Sequence, residues 1–415
     1  MLDVAITGMG IVSALGLSTE EFHRRLMAGE VAIRPAPWTA AGRRSWWGAV
    51  TGFVPRDWMD KKVEEGTDLF AQYALAAAQQ AVQQVDVTFD PERAGVVHGT
   101  SIGGARAVMK AQHLLDTQGP QAIPRKTQIQ IWPNMAAAQI AMRYRLHGPS
   151  LTVTTACASS LDAIGTAARL ISAGAADVII AGATEGGISG ADGSADGDFV
   201  PAMFHTSTLY GMDAPSDDPR RAMLPFDVKR NGIVVGEGSA MFVLEQGARA
   251  RGRGAPIIGY VRGYGSLADS FHPSSPDPSG KWEAHAMTLA LQDAGITPDR
   301  VDALIAHATG TPKGDTAEIC AINQVHGQRA RPLPVASIKG HIGHSGAASG
   351  GMAIITGLLG MREERFGHTA NTDEPDPEAM FDIVIGEPRS MPYRTLQVNS
   401  FGFGGQNASL VVTRD

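Results

Sequence analysis

The sequence predicts a duplicated α/β architecture with mixed sheets. β-branched runs alternate with stretches of helical period along the whole chain. The order strand, helix, strand, helix and closing strands occurs twice, dividing the chain into halves at 1–250 and 251–415. Glycine is abundant, 49 of 415 residues, well above the usual ~7%, which implies many tight turns and close backbone approaches.

In the first half, Val4–Val12 reads as a buried strand and 18–29 as a helix capped by Ser18 or Thr19. Residues 33–60, rich in Trp and Pro, read as irregular. A long Ala-rich helix follows over Thr67–Val85. Next come a strand over Ala94–His98, a Gly-rich turn at 99–104 into a helix, a loop over 120–134 and a helix over Met135–Tyr144. Leu151–Thr155 reads as a buried strand that breaks at Ala156-Cys157 into a helix ending near Gly174. The strands 177–182 and 240–244 bracket a long Gly/Asp/Ser/Pro-rich insertion at 186–220, interrupted by Phe199, Met203, Phe204 and Tyr210. The second half has strands at 257–263, 303–307, 335–338, 396–401 and 408–412, with helices near 281–294, 315–326 and 346–361.

Composition excludes several classes. A net charge of −7 opposes a nucleic-acid partner. No apolar run reaches the ~18 residues of a membrane span, and the N-terminus has no signal-peptide layout. Two distant cysteines point to a reducing cytoplasm without disulfides. Gly8-x-Gly10 after the first strand lacks the third glycine and the acidic ribose partner of a dinucleotide site, so that reading is rejected.

Four stretches carry chemistry. Cys157 sits on a strand-to-helix turn among Ala156, Ala158, Ser159 and Ser160, where helix N–H groups and dipole are expected to lower the thiol pKa. On position alone, a buried structural cysteine is the alternative. Three motifs follow at strand ends: Ile305-Ala-His307-Ala-Thr309-Gly-Thr311 through Asp315 to Glu318; Ser337-Ile-Lys339-Gly-His341-Ile-Gly-His344; and Asn399-Ser-Phe401-Gly-Phe403-Gly-Gly-Gln406-Asn407. A metal site on His307, His341 and His344 competes, but no thiolate or carboxylate is spaced as its closing ligand, so no metal is expected. A Cys/His hydrolase leaves the second histidine and the lysine without a role.

Cys157, His307 and His344 in this order, with Gly-Phe-Gly-Gly-x-Asn at the end, resemble the β-ketoacyl-ACP synthases over nearly all of the chain. The resemblance implies a thiolase fold, two duplicated βαβαβ-type halves in a layered αβαβα arrangement, the first holding the nucleophile and the second both histidines. It implies decarboxylative Claisen condensation of malonyl-ACP with an acyl chain on Cys157, giving β-ketoacyl-ACP. No cofactor is bound; substrates ride on the 4′-phosphopantetheine arm of an acyl carrier protein. His307 and His344 are expected to stabilise the enolate, and the N–H groups of Cys157 and Phe403 to form an oxyanion hole. Lys339, ion-paired with Glu318, is expected to orient the histidines. By the same resemblance Thr309, Thr311, Ser274 and Ser275 hold the pantetheine arm, Phe403 gates the acyl pocket, and Ile102, Ile131 and Trp132 set its depth, the last two across a dimer interface. His341 and the 186–220 insertion have no implied role. A thiolase is set aside because Cys320 falls within a helix rather than in a late Cys-x-Gly turn.

Departures from the family refine the reading. Lys61-Lys-Val-Glu64-Glu65 carries acid where the family presents a basic carrier-docking patch, the Ala214-Pro215-Ser216 loop lacks a docking arginine, and Gln406 replaces a commoner Thr. Arg125-Lys126, Arg220-Arg221 and Lys229-Arg230 are substitute cations. The expectation is a type II polyketide ketosynthase acting as a homodimer, or as a heterodimer with a chain-length-factor-like homologue. A fatty acid synthase II enzyme and a catalytically silent partner subunit are the alternatives.

Overall fold

The computed structural model describes residues 2–85, 89–186 and 202–414. The apolar β-branched runs become strands β1 (Val4–Ser13), β2 (Ala94–Gly99), β3 (Ser150–Val153), β4 (Val178–Glu185) and β5 (Gly238–Gln246). The second half contributes β6 (Gly259–Ala268), β7 (Ala303–Ile305), β8 (Pro334–Ala336), β9 (Asp382–Ile383), β10 (Thr395–Gly402) and β11 (Gln406–Thr413). The principal helices are α1 (Thr19–Met27), α2 (Leu69–Gln83), α3 (Ala105–Gln118) and α4 (Met135–Tyr144), then α5 (Ser159–Ser172), α6 (Lys281–Ala294), α7 (Pro312–His326) and α8 (Ser349–Glu363).

Strand pairing repeats between the halves. The first unit runs β1-β5-β4-β2-β3, two antiparallel pairings followed by two parallel ones. The second runs β6-β11-β10-β7-β8 with the same alternation, and β9 extends it in parallel. The two units are stitched into one eleven-stranded ladder where Val4–Ile6 of β1 pairs with Gly259–Val261 of β6. Helices α5 and α8 fill the layer between them, with α2 outside the first unit and α6 outside the second. That middle position explains why α8 is buried on every side. Leu161 and Ile164 of α5 share one core with Ile354, Ile355 and Leu358 of α8, each worth about 1.5–3 kcal/mol of burial.

Glycine pairs show the duplication at atomic scale. A Cβ at Gly8 or Gly10 of β1 would run into the carbonyl oxygens of Ala81 and Ala77 in α2. In the second half, Gly263 and Gly265 of β6 meet Ala290 and Ala286 of α6 in the same way. The Gly-x-Gly of the first strand is thus a helix-packing device.

Other differences from expectation are local. Ser18 caps α1, accepting from the Glu21 N–H at 3.2 Å, as expected. Residues 33–60, by contrast, contain a hairpin of Arg34–Ala40 and Arg43–Gly48. Its two-residue turn, Ala41-Gly42, has φ 46° and 76°, the left-handed pair that such turns need but that Ala does not advertise. β3 is an edge strand with Leu151 43% exposed, not a buried one. Within the insertion, Phe199 lies outside the described residues, while Ala202–Leu209 is a helix rather than loop.

Buried imidazoles give the fold an acid sensitivity. Burial pushes His98 down to about 3 and His326 down to about 4. Both lie below the unfolded value of about 6.5, so each stabilises the fold fully above that pH and is lost as pH falls through the folded value. By pH 4 each loses about 3 kcal/mol. Asp315, pushed up to about 7 by burial, acts with the opposite sign, so a difference measurement is needed. His326→Gln is expected to shrink the pH 7 to pH 4 fall in urea-unfolding free energy by about 3 kcal/mol relative to wild type; equal falls contradict this account.

Candidate active site

Cys157 owes its position to a strained turn. After β3, Ala156 adopts φ 48°, and a single 3₁₀ turn over Ala156–Ala158 leads into α5. Ser159 Oγ donates to the Ala156 carbonyl at 2.6 Å and accepts from the Thr155 N–H at 3.0 Å. Ser400 Oγ donates to the Cys157 carbonyl at 2.7 Å, fixing the turn to the end of β10. A Cβ at Gly402 would stand 2.7 Å from the Thr155 carbonyl oxygen and 3.2 Å from the Cys157 nitrogen, so only glycine lets the 402–405 segment come this close. In consequence the backbone N–H groups of Cys157 and Phe403 lie beside the Cys157 sulfur, where each favours the thiolate.

Three further elements bring the other groups to that sulfur. Strand β7 lies parallel between β8 and β10, and the C-terminal ends of β7 and β8 deliver His307 and the Lys339–Ile342 turn. His344 Nε2 lies 3.0 Å from Cys157 Sγ, and the His307 and His344 rings meet edge to face with centroids 5.3 Å apart. Behind His307, the buried Lys339 ammonium donates to the His307 carbonyl and sits 3.5 Å from Nδ1. An ammonium has no lone pair to offer, so the His307 proton belongs on Nε2, on the sulfur side.

Burial dominates the electrostatics. It pushes the Cys157 thiol up to about 11, with Lys339 pulling the other way. The expected lowering of the thiol by the helix N-terminus is therefore overturned: desolvation of the thiolate outweighs the dipole. Both His307 and His344 are held well below their ordinary range by burial, reinforced by Lys339. Lys339 itself is pushed down to about 8 by burial, partly offset by Glu318 and Cys157.

The Lys339–Glu318 ion pair is a second correction, since no direct pair forms. Glu318 Oε1 accepts from the His307 N–H at 2.9 Å and from Asn399 Nδ2 at 3.2 Å, while Oε2 accepts from the Ala308 N–H at 2.6 Å. Helix α7 runs beneath the end of β7, where two N–H groups have no strand partner, and the carboxylate satisfies them.

The metal alternative is also changed. Ligand atoms of Cys157, His307 and His344 lie within 4.8 Å of one another, and no fourth such residue joins them among the described residues. His341 is elsewhere: its Nδ1 faces the Glu30 carbonyl at 2.9 Å and its Nε2 the His368 carbonyl at 3.1 Å. It staples the Lys339–Ile342 turn to two distant segments.

Around the mouth, Thr309 and Thr311 hydroxyls lie 2.9 Å apart, and Thr311 caps α7. Ser274 and Ser275 belong to the 269–279 loop. That loop is tied to the glycine segment by Gly404 N–H to Pro273 O and Asp269 N–H to Gly405 O, both 2.8 Å. Phe403 between them is 53% exposed. Ile102 and Trp132 are exposed and Ile131 half-buried, and Val108, Leu115 and Met142 are exposed as well. Of the substitute cations, Lys229 and Arg230 are already paired with Glu374 at 2.6 Å and Asp376 at 2.7 Å, and Arg221 with Asp373 at 3.7 Å. Glu65 is neutralised by Lys61 and Lys126, and Glu64 by Arg56.

Sequence reasoning missed Glu185, Ser349 and Ser400. Half-buried Glu185 accepts from the Ser101 N–H at 3.0 Å and the Ala347 N–H at 3.3 Å, linking the Ile102 turn to the segment after His344. An acid closing the apolar run of β4 was the available signal. No helix is long and apolar enough to cross a membrane among the described residues.

Comparison with known proteins fits this geometry. The model of the β-ketoacyl synthase N-terminal domain matches residues 1–250, and that of the C-terminal domain matches 258–373. The chain is similar to a 3-oxoacyl-[acyl-carrier-protein] synthase 2 from Coxiella burnetii, 35% identical across 99% of this chain and 98% of the relative. Among solved structures it is similar to a type II polyketide ketosynthase bound to the hexaketide and in complex with its acyl carrier protein, at TM-score 0.88 and 27% identity, covering 100% and 99% of the two chains. The ishigamide ketosynthase/chain length factor gives TM-score 0.88 and 29% identity, again over 100% and 99%.

Proposed function

The chain belongs to the β-ketoacyl synthase family of carbon–carbon bond-forming acyltransferases, and from that premise we propose that it is the elongating ketosynthase of a type II polyketide system, with Cys157 as its nucleophile. The observation that carries the mechanism is the convergence on Cys157 of His344 Nε2, 3.0 Å from its sulfur, and the neighbouring His307 ring.

In the first half-reaction the Cys157 sulfur attacks the thioester carbonyl of an acyl chain on the carrier's pantetheine arm. The N–H groups of Cys157 and Phe403 hold the tetrahedral oxyanion, the carrier thiol leaves with the proton, and the acyl chain stays on sulfur. Malonyl-carrier then enters past Phe403. Loss of CO₂ leaves an enolate whose oxygen accepts hydrogen bonds from His307 and His344. The enolate carbon attacks the acyl-Cys157 carbonyl, the C–S bond breaks, and β-ketoacyl-carrier departs, leaving a Cys157 thiolate that takes up one proton from solvent to restore the resting thiol. Lys339 and Glu318 hold His307 in place from behind.

The polyketide assignment rests on the altered docking surface, where Glu64 and Glu65 neutralise cations that would face an acidic carrier. The dimer assignment rests on the edge of β3, unpaired among the described residues, with Leu151 exposed on it and Met142 exposed on the adjoining α4, a surface that a second subunit would cover. A fatty acid ketosynthase is the second reading, favoured by the 35% identity to the Coxiella burnetii relative named above. Intact-protein mass after incubation with a series of acyl-ACPs tests the two. Acylation that needs a partner subunit, or occurs only with unsaturated or polyketone chains, is expected. Acylation of the chain alone across saturated lengths establishes the second reading instead.

A further inference from the structure

We propose that Ser349 is a positioning residue that holds the proton of His344 on Nε2, facing Cys157. The inference rests on the ketosynthase reading only for its kinetic consequence; the proton assignment itself follows from packing.

His344 has its backbone pinned on both sides. Its N–H donates to the Val234 carbonyl at 2.7 Å, and its carbonyl accepts from the Gly236 N–H at 2.8 Å. The ring then spans a fixed gap, with Nε2 3.0 Å from Cys157 Sγ and Nδ1 2.9 Å from Ser349 Oγ. Ser349 opens α8 and is buried, 2% exposed. Among the described residues, His344 Nδ1 is the one polar atom within hydrogen-bond reach of that hydroxyl.

A hydroxyl with a single buried partner has an asymmetric choice. If it donates, its hydrogen is satisfied and only lone pairs stay idle. If it accepts, its hydrogen is buried without an acceptor, the costlier arrangement. Ser349 therefore donates, Nδ1 is bare, and the proton of the neutral ring lies on Nε2. At rest the sulfur accepts from His344 rather than giving it a proton. His307 is held in the same tautomer by Lys339 behind its Nδ1. Two different donors, a hydroxyl and an ammonium, thus aim two N–H groups at one point, as an enolate oxygen requires. Without the hydroxyl, the His344 proton is free to move to Nδ1, and one of the two donors is lost for part of the time.

The test is long-range ¹H–¹⁵N NMR of histidine-labelled full-length protein, read with malonyl-carrier decarboxylation kinetics, for wild type, Ser349→Ala and Ser349→Thr. Wild type is expected to show His344 protonated on Nε2 and bare on Nδ1. Ser349→Ala is expected to show mixed tautomers and a kcat lowered about tenfold with KM within about twofold, and Ser349→Thr to restore both. A wild-type proton on Nδ1 overturns the proposal even if no variant folds, and so does an alanine variant with unchanged tautomer and kcat. Wild-type protein with the expected tautomer but no decarboxylation of malonyl-carrier supports the assignment while refuting the ketosynthase reading.

Discussion

Cys157→Ala abolishes acyl transfer to the protein and lowers condensation by about four orders of magnitude or more. The expectation is this large because nothing nearby can take over. Among the described residues, Cys320 is the other thiol; it lies on α7, the helix that runs behind β7. Two hydroxyls at the turn are committed, Ser159 to the Ala156 carbonyl and Ser400 to the Cys157 carbonyl, and the Thr155 hydroxyl, though unpartnered, is buried. The imidazoles are untouched by the substitution, so decarboxylation of malonyl-carrier is expected to continue without C–C bond formation. Intact mass reads the first effect, and carbon dioxide release against β-ketoacyl-carrier formation reads the second. An acyl adduct that persists in the variant moves the nucleophile elsewhere and removes the basis of the mechanism.

The groups that meet at the candidate site were legible in the sequence because each sits where a period changes. Cys157 lies between a β-branched run and a helical one, and His307 and Lys339 follow short apolar strands in Gly-rich turns. Such junctions are local, and local pattern is what a sequence displays. Less visible were properties set by residues far apart in the chain. The thiol sits above its usual range because its desolvation outweighs the pull of Lys339, whereas the turn alone predicted the reverse. Glu318 was placed correctly beside the site but given the wrong partner. Its two N–H donors come from the end of β7, and no spacing rule announces which strand ends lack a neighbour.

Gly8-x-Gly10 shows the same limit from the other side. The spacing is equally compatible with a nucleotide loop and with a helix lying close on a strand. Only the match between Gly8/Gly10 against α2 and Gly263/Gly265 against α6 identifies it as a packing device used once per half. Edge position is likewise a global property. β3 has the composition of a buried strand, yet among the described residues nothing pairs its outer side, and composition does not say whether a second subunit does.

Glu318→Ala is expected to be the most damaging substitution that touches no substrate. The carboxylate accepts from the His307 N–H, the Ala308 N–H and Asn399 Nδ2, all buried. Its removal leaves three donors in the protein interior without partners, each worth about 1–3 kcal/mol, so a loss on the order of 5 kcal/mol is expected. Glu318→Gln keeps one amide oxygen as acceptor but turns an NH₂ group towards N–H donors, and is expected to lie between alanine and wild type. Two effects then separate. Urea unfolding reads the loss of stability, while decarboxylation by the fraction still folded reads the displacement of His307, expected to fall about a hundredfold when one of two oxyanion donors drifts out of line. Burial holds the Glu318 carboxyl above its ordinary range, against the opposing pull of the Ala308 and His307 N–H groups and Lys339. A Glu318→Ala protein as stable and as active as wild type would show that the end of β7 is held by its strand pairing alone. The carboxylate would then be incidental to His307, and Lys339, through the His307 carbonyl, would remain as the group that positions the ring.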